Sequence, residues 1–168
     1  LAVVAATTAM VHRPALNSKA LLIDDEGYLS DNRQVQRPGW DTVWRFLSEV
    51  RETSMGGGYY HPVTMLSYMT DFAIGGLAEK IHVDEWENCL RVFRRTNLIF
   101  HVASAVLIAI LIHQFFGQPV VAALLGILFG VHPITVEIVA WLSARKALLA
   151  GTFTFLCLVC YTAWVQRR

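Results

Sequence analysis

HPITVEIVAWLSARK (residues 132–146) places a His-Pro step, a carboxylate at Glu137 and an Arg-Lys pair between two apolar segments. Polar groups at membrane depth are costly, so a cluster of them needs partners or a function. Reading outward from this stretch sets the fold class. On its C-terminal side, residues 147–165 carry no charge and end at Gln166-Arg167-Arg168. On its N-terminal side, residues 118–131 are apolar but short, and residues 97–116 are apolar with His101 and His113 as their only titratable groups. A bilayer core about 30 Å thick takes roughly 20 apolar residues in a helix, so 97–116 and 147–165 are each long enough. Residues 118–131 reach that length only if their helix continues past Pro133 toward Leu142. The apolar residues 1–11 are too short to span and read as the end of a first helix whose beginning is missing. No basic segment precedes them, which argues against a signal peptide.

The composition agrees with a membrane protein. The 168 residues are 55% hydrophobic and 16% charged, against about 45–50% and about 25% in an ordinary soluble domain. Charge is concentrated in residues 13–96; between 98 and 165 the only charged residues are Glu137, Arg145 and Lys146. The expectation is an all-α, polytopic membrane protein of about four transmembrane helices, the first incomplete. Residues 1–12 would end the first helix, and 13–96 would form a helical loop domain outside the cytoplasm. Residues 97–168 would form a membrane domain with helices near 97–116, 118–131 and 145–165 and a short interfacial helix at 134–143. A net charge of +1 and no basic stripe exclude a nucleic-acid partner. Cys157 and Cys160 share one face of an apolar helix and read as packed thiols; Cys89 is single.

A loop of this length needs structure of its own. Residues 41–51 predict a helix with Asp41 as N-cap after Pro38-Gly39 and with Trp44, Leu47 and Val50 at helical spacing. Residues 61–72 predict a second helix, whose stripe of Met65, Tyr68, Met69 and Phe72 would pack at a membrane surface. Orientation stays open on charge: most basic residues lie on the loop side, but the rule weakens for long loops.

Three blocks carry a resemblance: IDDEGYLSDN (residues 23–32), YHPVTMLS (residues 60–67) and HPITVEIVAWLSARK itself. With Asn97 and His101 at the start of the following helix, the chain resembles the C-type superfamily of membrane glycosyltransferases. Within it, the chain is similar to the tetratricopeptide-carrying members related to protein O-mannosyltransferases. The resemblance implies that residues 13–96 face the periplasm or lumen and that the donor is a polyprenyl-phosphate sugar. It also implies that Asp24 or Asp25 would be the general base on an acceptor hydroxyl. His61, His132, Glu137, Arg145 and Lys146 would form a donor-binding or structural polar cluster, with Arg145 or Lys146 touching phosphate. The chain departs from the family pattern at Ala147, where an acid is common, at Phe93-Arg94, which replaces a His pair, and at 78–90, which looks inserted. Family enzymes also have on the order of ten membrane helices.

These departures favour a chain that is not catalytic by itself and serves as an accessory or scaffold subunit, with membrane lipids and other subunits as partners. The alternative is the N-terminal part of an active lipid-linked-sugar glycosyltransferase. For Glu137 the preferred reading is a structural ion pair with Arg145, Arg94 or Arg95. A third class, haem-linked electron transfer through His101 and His132, lacks a partner pair for a second haem. No cofactor is expected, beyond a divalent metal if the chain is active.

Overall fold

The computed structural model describes residues 1–18, 25–48, 60–75 and 86–168, and every described regular element is helical. Asp24, Val50 and the segment 78–85 lie outside these residues. In chain order the α-helices are α1 (Ala2–His12), α2 (Arg33–Gln36), α3 (Trp40–Ser48), α4 (Pro62–Gly75), α5 (Trp86–Phe116), α6 (Pro119–Gly130), α7 (Thr135–Ala140) and α8 (Arg145–Gln166). Short 3-10 turns cover Arg13–Asn17 and Leu142–Ala144, and a π-turn covers Glu26–Ser30. The chain divides into a helical unit (Leu1–Ser18, Asn97–Ala140 and Ala147–Arg168) and a loop unit (Lys19–Thr96 and Trp141–Lys146).

In the helical unit, three stripes at four-residue spacing meet. Val4, Thr8 and His12 lie on α1, His101, Ala105 and Ala109 on α5, and Ala122, Gly126 and Gly130 on α6, and all nine are buried. Four-residue spacing keeps each set on one helix face. A Cβ added to Gly126 would stand 2.8 Å from the Ala109 Cβ, and one added to Gly130 would stand 2.1 Å from Thr8 Oγ1. Only glycine allows backbones to approach this closely, the logic of small-residue packing between membrane helices. Between α5 and α8 the contacts are polar. Ser104 and Thr152 share a hydrogen bond of 2.8 Å, Thr162 donates to Gln114 Oε1, and Gln166 Nε2 donates to Gln114 O at 2.6 Å.

The turn from α5 to α6 is local in origin. Gly117 has φ +67°, and its N–H reaches His113 O at 2.8 Å, which closes α5 in the left-handed conformation that glycine tolerates. Pro119 then opens α6, where its missing N–H costs nothing. At the other end, α6 stops at Gly130, ahead of Pro133, and a new helix begins at Thr135. The continuation toward Leu142 is therefore not made. At 12 residues and about 1.5 Å per residue, α6 is shorter than a bilayer core.

Two helical stretches among the described residues, Leu90–Phe116 and Leu142–Gln166, are long and apolar enough to cross a membrane. Only 22% and 17% of their most apolar windows are buried, whereas a helix in the core of a soluble domain would be mostly covered. Helix α5 starts at Trp86 rather than Asn97, since nothing in 86–96 interrupts helical hydrogen bonding and Leu90 and Phe93 are buried in the loop unit's core. Cys157 and Cys160 are free and exposed on α8, so the packed-thiol expectation fails; they lie on the helix's uncovered face.

The loop unit has its own core of Tyr28, Leu29, Val35, Phe46, Met65, Tyr68, Met69, Phe72, Leu90, Phe93 and Leu142. The methionine-aromatic stripe of α4 thus packs inward rather than on a membrane surface, with Phe72 and Phe93 edge to face at 5.0 Å between ring centres. Each such side chain is worth about 1.5–3 kcal/mol when fully buried. Helix α2 is capped by Asn32, whose side chain accepts from Gln34 N and Val35 N. Helix α3 begins at Trp40, which puts Asp41 in its first turn rather than at the cap. Its buried residue is Phe46, while the expected stripe residues Trp44 and Leu47 are exposed.

Candidate functional site

The end of the third block, Trp141–Lys146, lies in the loop unit together with the described residues of the first two blocks. The hub is Arg145, fully buried at 0% exposure. Its Nη1 lies 2.5 Å from Asp71 Oδ2 and 3.2 Å from Ser67 Oγ, and its Nη2 donates to Phe93 O at 2.7 Å. The guanidinium also stacks over the Tyr68 ring at 4.4 Å from the ring centre. A planar cation with donors on every edge suits such a pocket; an ammonium group would not. Tyr68 fixes the preceding turn by donating to Leu142 O at 2.7 Å. Burial pushes its phenol well above the usual range, so the hydroxyl keeps the proton it donates.

Asp71 holds the other half of the pair. It accepts from Thr96 Oγ1 at 2.6 Å. Burial raises its pKa, while the charge of Arg145 and the bonds from Thr96 and Arg145 pull it back. Asp25 is buried too, and its Oδ1 accepts from both the backbone N (3.0 Å) and the hydroxyl of Ser143. The acidic block therefore holds the 3-10 turn that leads into α8. On the outer side, exposed Lys146 approaches Tyr28 Oη at 3.5 Å and lies over its ring at 5.5 Å from the centre. His61 is partly exposed, and its pKa is lowered, first by burial and then by the charge of Lys146.

Of the residues singled out from sequence, Asp25, His61, Arg145 and Lys146 come together in the loop unit, and Asp24 lies outside the described residues. His132 and Glu137 belong to the helical unit and are exposed there. Glu137 was expected to pair with Arg145, Arg94 or Arg95; on Arg145 the carboxylate is instead Asp71. Asp71 had a signal, as the one charge in an otherwise uncharged helix, and such a charge needs a partner once the helix is buried. Ser143 had none beyond its place in the third block, and Tyr68 stood out only as a member of the apolar stripe of residues 61–72.

The helical unit holds a second polar cluster. His12 Nε2 and His101 Nε2 lie 2.8 and 2.9 Å from the same acceptor, Gly130 O, with their rings edge to face at 4.8 Å. For both to donate, each imidazole carries its proton on Nε2. Thr135 Oγ1 lies 3.4 Å from His12 Nε2. Two side chains from different helices thus satisfy one carbonyl at the end of α6, where helical partners run out. His101 pairs here with His12, a residue the sequence reading passed over. His132 keeps a local role, accepting at Nδ1 from Ile134 N. Among the described residues no group of three or more His, Cys, Asp or Glu is placed to hold a metal.

Every regular element among the described residues is thus helical, and two of these helices are long and apolar enough to cross a membrane. Over 109 residues, 65% of the chain, it is 30% identical to Protein O-mannosyl-transferase tmtc2 of Xenopus laevis. The match spans 12% of that protein's length. No family model matches the chain, and no solved structure matches it. The similarity supports a glycosyltransferase-like relationship.

Proposed function

We propose that this chain is a glycosyltransferase-like membrane protein that holds a lipid-linked phosphosugar beside its loop unit and, by itself, acts as an accessory or scaffold element. The loop unit would face the periplasm or lumen. Helices α5 and α8 would span the bilayer, with α1 and α6 as shorter helices of a bundle of about four, in contact with lipids and other subunits. The observation that carries the reading is how the two central charges are used. Asp25 spends Oδ1 on Ser143, and Arg145 spends its donors on Asp71, Ser67 and Phe93. Both are building elements. The groups turned outward are Lys146 and His61, a cation and an imidazole of the kind that contacts a phosphate. We take Arg145 as the residue that positions Lys146, its neighbour in sequence.

A second reading, active transfer, draws support from Asp25, His61, Arg145 and Lys146 sharing the loop unit and from the O-mannosyltransferase relative. There a carboxylate, Asp24 or Asp25, takes the proton of an acceptor hydroxyl as its oxygen attacks the anomeric carbon. The bond to phosphate breaks, and polyprenyl phosphate leaves, its charge held by Lys146.

One assay separates the two. The full chain is reconstituted in vesicles with radiolabelled polyprenyl-phosphate mannose and a serine- and threonine-rich acceptor peptide. The accessory reading expects saturable retention of donor, lost in the Lys146→Ala and His61→Ala variants, and no labelled peptide. Labelled peptide overturns it in favour of transfer. Absence of saturable retention overturns donor handling altogether.

A further inference from the structure

Helix α3 (Trp40–Ser48) has two unlike faces. Phe46 is buried and Val43 packs against the loop unit's core. Trp40, Trp44 and Leu47, at spacings of four and three, are 87%, 71% and 46% exposed and share one helix face. Tyr60, itself exposed, extends this side by donating from its hydroxyl to Leu47 O at 2.9 Å.

Two indoles one turn apart are an unusual thing to leave in water. Each offers about 150–250 Å² of mostly apolar surface with one N–H to satisfy. Trp and Tyr settle at the level of lipid headgroups, where the ring is dry and its polar tip is wet. A helix with such a face lies flat in the interface and sinks its apolar side about 5–10 Å. A protein partner is the competing occupant, but a stable complex buries about 800 Å² on each side, more than two indoles and a leucine supply. A bilayer needs no such area, because the chain itself brings it: α5 and α8 are long and apolar enough to cross one.

We propose that α3 lies in the headgroup-acyl boundary of the bilayer that holds α5 and α8, anchored by Trp40 and Trp44. This rests on the membrane location proposed above.

The test uses the full chain in nanodiscs made from ordinary lipid or from lipid brominated on the acyl chains, and reads tryptophan fluorescence. The emission of the two α3 indoles is the difference between the natural chain and the Trp40→Phe/Trp44→Phe variant. The single variants give the same readout if the double one fails to fold. The difference between the natural chain and Trp164→Phe reports Trp164, an exposed residue on α8. The expected result is that brominated lipid quenches most of both signals while aqueous iodide leaves them nearly intact. If lipid quenches Trp164 but iodide alone quenches the α3 indoles, the interfacial assignment is overturned and the membrane location stands. If neither agent reaches the α3 indoles, protein covers them and the assignment is equally overturned. If Trp164 also escapes the lipid quencher, the membrane location fails with it.

Discussion

Replacing Arg145 with Met tests the architecture of the loop unit most directly. Methionine is flexible and fills much of the space of the side-chain stem, so the change removes charge and hydrogen bonds with little cavity. The interactions lost include the pair with Asp71 at 2.5 Å, the bonds to Phe93 O at 2.7 Å and Ser67 Oγ at 3.2 Å, and the stacking over Tyr68 at 4.4 Å. The partners are 0% and 5% exposed at their side chains, so solvent cannot take over the stranded carboxylate. Breaking a buried pair from one side costs about 3–5 kcal/mol, which at about 1.4 kcal/mol per decade is roughly two to four decades in the opening equilibrium. Native-state hydrogen exchange on the full chain in nanodiscs reads that opening for the amides of α4 and the first turns of α5.

The pH dependence carries a sign. Burial already raises the pKa of Asp71, and Arg145 opposes the rise; without Arg145 the carboxyl moves further up. A carboxyl whose folded pKa exceeds its unfolded one binds its proton more tightly in the fold. Its contribution favours the folded state at low pH and is lost as pH climbs through the folded pKa. The deficit of the variant should therefore widen from acid toward neutral pH. Adding Asp71→Asn removes the stranded charge, so the double variant should recover part of the loss. Exchange in Arg145→Met within about 1 kcal/mol of the natural chain, the range of an exposed pair, would refute the reasoning.

Three further outcomes follow from the geometry. Gly130→Ala should lower the thermal stability of the detergent-solubilised chain by about 1–3 kcal/mol through overpacking, because its Cβ would meet Thr8 Oγ1 at 2.1 Å; Gly151→Ala, whose nearest contact would be Phe155 at 4.0 Å, should not. His12→Phe and His101→Phe should each cost about 0.5–1.5 kcal/mol, and the double variant more than their sum, because either histidine alone still satisfies Gly130 O; strict additivity in the same melts would sink the shared-acceptor account. Lys146→Gln should move the His61 titration, followed by its imidazole proton resonances, upward toward the ordinary 6.5, and an unmoved midpoint would separate the two side chains.

What could be read from the residues was the punctuation of the helices and only part of the grouping, since Asp25, His61, Arg145 and Lys146 share the loop unit while His132 and Glu137 do not. Pro133 ends α6 and the Arg145-Lys146 pair opens α8, since a proline cannot continue a helix and charge marks the edge of an apolar run. Partners were harder to read, because a side chain's direction is set by tertiary packing. Met65, Tyr68, Met69 and Phe72 make a stripe that suits a lipid surface or a protein core equally well, and the deciding partners, Tyr28 and Phe93, lie far off in sequence. Trp44 and Leu47 had helical spacing, yet Phe46 supplies the buried face. Glu137 was matched to Arg145, Arg94 or Arg95 as charges that need partners at membrane depth, while Asp71 reached Arg145 through the fold. The Ala122, Gly126 and Gly130 series stood in plain view as small residues four apart, and would have named the packing face of α6.

The shared acceptor at Gly130 also has a history in time. His12 and Gly130 are separated by 118 positions. At a synthesis rate of roughly 5–20 residues per second, the first helix exists for about 6–24 s before the carbonyl that satisfies its histidine has been made. During that interval Thr8 and His12 have no glycine surface to meet. Until α6 is made, the sides of Thr8 and His12 that meet Gly130 stay uncovered, and the packing of α1 is completed only when that glycine arrives.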